Sequence, residues 1–193
     1  MEGPLRIAAV ILAAGESRRF GGRKQLAVLD GRSLLEHVVE LALSAQLSPV
    51  VVVVPTWLTP PNSLAHPDVR WVHNPSPELG LSYSLRLGFR SLPSTVDAAV
   101  ILLGDQPRVP LTDLETLIAA RGRQPIIALR AMGHIGPPLL VERSRFTVVQ
   151  ETRGDIGLRE VLGLHPEWVA TVEVEAHAAD VDTPGDLASL ERP

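Results

Sequence analysis

The sequence predicts a three-layer α/β/α fold on a mostly parallel sheet, and three observations carry that expectation. Continuous apolar runs occur at Ile7–Leu12, at 50–54 and at Ala98–Leu103, and such runs suit strands buried on both faces of a parallel sheet. Between them lie segments with apolar residues at helical spacing, an alternation that sets helices on the sheet faces through right-handed crossovers. A glycine-rich, basic stretch follows the first run directly, where a strand passes into a loop at the carboxyl edge of such a sheet. At 193 residues the chain has room for one substantial domain, read as spanning 1–193.

The elements follow in order. After the first strand and its loop, Ser33 and Glu36 form an S-x-x-E capping box, with Leu34, Leu35, Val38, Val39, Leu41 and Ala42 behind it at helical spacing. Five valines at 50–54 make a strand too apolar for an exposed edge, and Pro55 ends it. Prolines at 60, 61 and 67 make 56–68 a loop with one short helical turn, and a brief strand at 70–73 follows. Residues 74–92, opening NPSPELG, set Leu81, Leu85, Phe89 and Leu92 on one helical face. Gly80 and Ser82 stand at the entrance to that helix, where free N–H groups are expected to face the cleft. Beyond the strand Ala98–Leu103, Thr112 and Glu115 read as a second capping box, for a helix through Ala120.

In the last third, 126–130 is a strand, 133–142 a turn into a second extended segment, and 144–151 helical. Asp155 is expected to cap a short helix carrying Leu158, Val161 and Leu162. Residues 169–174 alternate apolar and polar, as a half-exposed strand near a sheet edge does. Thr183 as N-cap and Pro184 as first helical residue start a final helix. No internal repeat or low-complexity tract interrupts the chain.

Composition removes several classes of function. Aromatic residues are 4% of a chain that is 45% hydrophobic, so the core is aliphatic. A net charge of −4 argues against a nucleic-acid partner, which calls for a broad basic surface. Without cysteine there is no disulfide, thiolate metal site or cysteine nucleophile. No apolar stretch reaches membrane-spanning length and the start lacks a signal-peptide pattern, so a cytoplasmic location with no membrane partner is expected.

Basic charge is instead local. The stretch 12–24 reads LAAGESRRFGGRK, and Arg18, Arg19, Arg23 and Lys24 crowd its second half. Gly15, Gly21 and Gly22 allow its backbone N–H groups close to a ligand, so the loop suits phosphate. A Walker A motif fails because Phe20 stands five positions after Gly15 and Lys24 is followed by Gln25. The dinucleotide fingerprint fails because Ser17 replaces its second glycine. The second anchor is Asp105, just past a buried strand on the same edge. A carboxylate there suits Mg²⁺, which takes one or two protein carboxylates and completes its shell with water and substrate phosphates. Asp182 in DVDTP is its expected partner; Asp180 competes for that role, and local helix capping is the plain alternative for both.

The remaining pattern, L-A-A-G-x-S-x-R-x-G-x-x-K, resembles the signature loop of the nucleotidyltransferases related to molybdenum cofactor guanylyl- and cytidylyltransferases. NPSPELGLSYSLRLGF, VILLGDQPRVP, ETRGDIGLREVL and DVDTPGDL stand in the order seen in the cytidylyltransferases, so the similarity covers nearly the whole chain. It implies a Rossmann-like, nucleotide-diphospho-sugar transferase-like fold and transfer of CMP from CTP to the terminal phosphate of molybdopterin, with Mg²⁺ as cofactor. A molybdoenzyme or its maturation chaperone is the implied receiver. On this resemblance Leu12, Ala13, Ala14 and Gly15 hold the nucleotide, and Ser17, Arg19 and Lys24 hold its phosphates. Arg19 and Lys24 act as the electrostatic catalysts. Asn74, Gly80 and Ser82 lie near base and ribose, and Asp105 and Asp182 hold the metal. GHIGPPLL stands where the family commonly shows Gly-His-Pro, which displaces His134 from the proline, and His134 is given no catalytic role.

Two alternatives stay open at this level. Fold and loop alone do not separate CTP from GTP, or molybdopterin from a sugar phosphate. A non-catalytic carrier of the cofactor is the rival from another class; Lys24 and Asp105 argue against it, since a carrier needs neither a metal nor stabilisation of pyrophosphate.

Overall fold

Successive residues of a strand face opposite ways, so each continuous apolar run supplies two cores at once. The computed structural model describes residues 5–155 and 158–191. Its main sheet begins with β1 (Ile7–Leu12), from which Ala9 and Ile11 enter one core and Ala8 and Val10 the other. A two-stranded ribbon follows, β2 (Val28–Leu29) and β3 (Arg32–Ser33), and then α1 (Leu34–Ser44). Next come β4 (Val50–Pro55), β5 (Val69–Asn74), α2 (Leu81–Arg90), β6 (Ala98–Leu103) and α3 (Leu111–Ala119). The chain continues through β7 (Ile126–Ala131), β8 (His134–Glu142), α4 (Arg159–Leu164), β9 (Val169–Glu173) and α5 (Pro184–Leu190).

The seven-stranded sheet has the order β5-β4-β1-β6-β8-β7-β9, and every strand runs parallel to the others except β8. That exception follows from the tight turn at Met132 and Gly133, both at positive φ, which folds β8 back on β7 as a hairpin. From β1 the chain steps outward through β4 to β5 and then crosses back to β6 on the other side of β1. Helix α1 covers one face and α2 the other. The strand order therefore reverses between β1 and β6, and ligands of open α/β sheets bind in the crevice at such a reversal.

Several expectations meet the structure directly. The Ser33–Glu36 capping box closes α1, and Thr183 caps α5 with Pro184 in its first turn. The loop at 56–68 holds one 3₁₀ turn, Asn62–Leu64, and 169–174 is read nearly to the residue by the edge strand β9. The helical stretch at 144–151 is a run of 3₁₀, Arg143–Glu151. Two caps are corrected. Pro110, not Thr112, is the N-cap of α3, so Thr112 already lies inside the helix and no side chain caps it. Asp155 does not cap α4, which starts at Arg159; its Oδ1 accepts the backbone N–H of Leu81 at 3.2 Å, at the start of α2. Leu162 lies on α4 and Leu158 just before it, both buried, and the side chain of Val161 lies outside the described residues. The β2–β3 hairpin was not anticipated, although Asp30-Gly31, both at positive φ, is the dipeptide a type I′ turn prefers.

Helix α2 packs unusually close to the sheet because Gly88 faces β1. A Cβ there would lie 2.4 Å from Cγ1 of Val10 and 3.3 Å from Cγ2 of Val53, both on fully buried side chains. Gly88→Ala improves helix propensity but overpacks this contact, so a net loss of about 1–3 kcal/mol is expected. Chemical denaturation checks it, and a more stable variant would contradict the close packing. Among the described residues no helix is long and apolar enough to cross a membrane.

Candidate active site

The crevice at the strand reversal is a cleft of about 640 Å³, bounded by the loop after β1, the turn after β6, the start of α2 and the segment before α5. Each wall is fixed by local chemistry. Gly104 brings the ends of β1 and β6 together: its N–H donates to Leu12 O at 2.9 Å, and a Cβ at 104 would sit 2.6 Å from that of Ala13. Asp105 is thereby set beside the loop. The N–H of Val181 donates to the Asp105 carbonyl at 2.9 Å, which brings Asp182 to the same place.

Inside the loop, buried Gln25 acts as an internal brace. Its Nε2 donates to the carbonyls of Ala13 and Gly15, both at 2.9 Å. Since C=O and N–H of a trans peptide point opposite ways, the N–H groups of Ala14 and Glu16 are turned away from Gln25. Ser17 adopts positive φ at 54°, and its carbonyl accepts the N–H groups of Phe20 and Gly21, closing a turn that presents Arg18 and Arg19. Gln25 was missed as a functional residue; its signal was its position directly after Lys24.

The charges converge on one point. Lys24 Nζ lies 2.8 Å from Asp105 Oδ2 and 3.2 Å from Asp182 Oδ1, and its side chain is only 13% exposed. Arg19, largely in solvent, reaches the other oxygen of Asp182 at 2.8 Å. Asp182 is not used for capping, because Asp186 accepts the N–H groups of Asp182 and Thr183. Asp180 also lines the cleft, where Gln106 Nε2 donates to it at 2.8 Å. Although solvent reaches Asp180 as a residue, protein atoms crowd its carboxyl group. This desolvation raises its pKa above the usual carboxylate range; Asp105 and Asp182 add to the rise, against the Gln106 hydrogen bond and Lys24.

The remaining predicted residues divide. Leu12, Ala13, Ala14, Gly15, Ser17 and Gly80 line the cleft with Arg19, Lys24, Asp105 and Asp182. Asn74 and Ser82 do not: both are fully buried. The amide of Asn74 donates to Ser84 Oγ at 2.9 Å and its carbonyl accepts from Ser76 N at 2.7 Å, so it shapes the turn into α2. The N–H groups at the start of α2 are not free either, since Ser82 N donates to Gly154 O at 2.9 Å and Leu81 N to Asp155. Gly80, at φ 81°, lies so close to this segment that a Cβ would fall 2.6 Å from Asp155 Oδ1. Arg23 points elsewhere, its guanidinium stacked 4.7 Å over Trp57. His134 is exposed, and its carbonyl accepts a hydrogen bond from the ring of His177 at 2.9 Å. A second, aliphatic cavity of about 390 Å³ shares Leu12, Leu81, Leu103 and Asp155 with the cleft.

The donor set fits a hard divalent ion. Among the described residues no three metal-ligating side chains converge, but two carboxylates do, on a single point, and an ion that completes its shell with substrate phosphates needs no more. Asp105 and Asp182 would hold it, with Lys24 and Arg19 beside it for phosphate oxygens.

Comparison with known proteins agrees with this geometry. Residues 9–171 match the MobA-like NTP transferase domain. The purine catabolism protein PucB of Bacillus subtilis (strain 168) is 30% identical, with 95% of each chain covered. The crystal structure of Rv0371c from Mycobacterium tuberculosis H37Rv superposes with a TM-score of 0.84 at 25% identity, covering 98% of this chain and 99% of that one. The manganese complex of Rv0371c superposes at 0.79, with 22% identity and 97% and 98% coverage. The fold is thus the Rossmann-like α/β fold of the nucleotide-diphospho-sugar transferases, and with its basic glycine loop facing a pair of carboxylates the chain belongs to the nucleotidyltransferase family of MobA-like NTP transferase domains.

Proposed function

We propose that this nucleotidyltransferase acts as a single domain that transfers CMP from CTP to the terminal phosphate of molybdopterin, using Mg²⁺ and releasing pyrophosphate. One observation carries the reading: Lys24 meets Asp105 and Asp182 beside the LAAG loop, at the strand reversal. Manganese in the complex of the similar Rv0371c supports a divalent ion. The product would pass to a molybdoenzyme or its maturation chaperone; PucB is named for purine catabolism.

In the reaction, a terminal phosphate oxygen of the acceptor forms a bond to the α-phosphorus of CTP, and the bond from that phosphorus to the bridging oxygen of pyrophosphate breaks. A phosphate monoester is largely ionised at neutral pH, its second pKa being about 6, so no general base is needed. The cleft accordingly needs only position and charge. The braced loop orients the triphosphate, and Lys24 and Arg19 offset charge that moves onto the α-phosphate and the leaving pyrophosphate. Bound Mg²⁺ would supply Lewis-acid neutralisation of phosphate oxygens at Asp105 and Asp182.

Pyrophosphate release measured with each nucleoside triphosphate, with and without molybdopterin, tests the reading. CTP is expected to exceed GTP by at least roughly tenfold in kcat/KM, a demand of about 1.4 kcal/mol on the pocket, and only when the acceptor is present. Equal use of both triphosphates, or preference for GTP, would overturn the cytidylyl assignment.

A further inference from the structure

We infer that Lys24 is a built-in competitor of the divalent ion, so that this chain takes up its metal together with the nucleotide and not before it. The inference rests on the reading of Asp105 and Asp182 as the metal-holding pair and adds the order in which the site assembles. Lys24 Nζ contacts an oxygen of each carboxylate, at 2.8 and 3.2 Å, in a part-buried position. The second oxygen of Asp182 is engaged by Arg19 at 2.8 Å. Two negative charges therefore face two positive ones, and no net negative charge remains on the pair to attract a free ion. Asp180, which also lines the cleft, accepts a hydrogen bond from Gln106 rather than a cation.

Hard ions such as Mg²⁺ and Mn²⁺ bind through carboxylate charge, and an ion on the same two groups as an ammonium is repelled across a short, weakly screened distance. A triphosphate changes this balance. It brings several negative charges, gives Lys24 and Arg19 new anionic partners and releases Asp105 and Asp182 to the metal. Nucleotide and metal must then raise each other's affinity by the same factor, as linkage requires.

Calorimetric titration of Mn²⁺ alone into the full chain tests this without nucleotide, acceptor or turnover. Lys24→Met is expected to bind Mn²⁺ roughly tenfold tighter than wild type, within the usual range of coupling between sites. Lys24→Gln keeps a hydrogen-bond donor for both carboxylates and should show the same gain, which covers the case in which methionine disturbs the loop. The double variant Lys24→Met with Asp105→Asn should lose the gain, locating the ion at this pair. Mn²⁺ affinity unchanged or weaker in both neutral variants overturns the inference, and so does a gain that survives Asp105→Asn. A chain that failed to transfer CMP would show it in pyrophosphate release and leave this titration fully readable.

Discussion

Asp105→Asn should lower turnover at least about hundredfold, the order lost when one preorganised electrostatic group is removed from such a site, while the chain stays folded. The carboxylate is the nearer partner of Lys24, at 2.8 Å, and its side chain is 27% exposed. Its loss removes one of the two fixed charges of the metal-holding pair and the nearer of the two anchors that aim Lys24. Stability should change little, because Lys24 keeps Asp182 as a charged partner at 3.2 Å and the amide oxygen of the variant can still accept from its ammonium. The backbone carbonyl that accepts from Val181 is untouched, so Asp182 stays in place. Asp182→Asn should cost less, since Asp182 is more exposed and its contact with Lys24 is longer, at 3.2 Å. Pyrophosphate release at ordinary Mg²⁺, with a thermal melt beside it, checks both variants. A wild-type rate in Asp105→Asn would remove it from the reaction centre, and a collapsed melt would make its role structural.

What was legible in the chain beforehand depended on how far apart the interacting groups lie. Five consecutive valines announce a buried strand, and β4 is indeed enclosed between β5 and β1. The Ser33–Glu36 box was readable because both of its hydrogen bonds close within three residues. The Thr112–Glu115 box has the same spacing and misleads, because Pro110 is already the N-cap and the helix begins earlier than a hydroxyl-based rule expects. Spacing alone does not report which residue wins a cap.

Longer-range pairings were hidden for the same reason. The contacts of Lys24 with Asp105 and Asp182 span 81 and 158 residues. The motifs paired Asp105 with Asp182 at a metal and gave Lys24 the phosphates, but did not show that the ammonium lies between the two carboxylates. Asp155 looked like a local cap, and its actual partner, Leu81 N, lies 74 residues away. The resemblance sets Asn74 near base and ribose; in the structure its amide instead donates to the buried hydroxyl of Ser84 and turns inward. Arg23 is the same kind of case, one more loop cation in sequence but held over Trp57, a residue 34 positions away across the end of β4.

The stacking of Arg23 also supplies the control for the measurement that bears most directly on the central claim, single-turnover transfer by Lys24→Ala at saturating CTP and Mg²⁺. If the cleft only docks a nucleotide, ground state and transition state lose the same contact, and the rate of bound substrate is preserved. If Lys24 offsets charge that develops as pyrophosphate leaves, the single-turnover rate itself must fall, by about a hundredfold or more. The second outcome is expected, with CTP affinity reduced only several-fold because Arg19 and the braced loop still hold the triphosphate. Arg23→Ala, which removes a loop cation outside the cleft, should keep the wild-type rate. An unchanged rate in Lys24→Ala, or equal losses at Arg23 and Lys24, would contradict the account and leave a loop that acts through bulk positive charge.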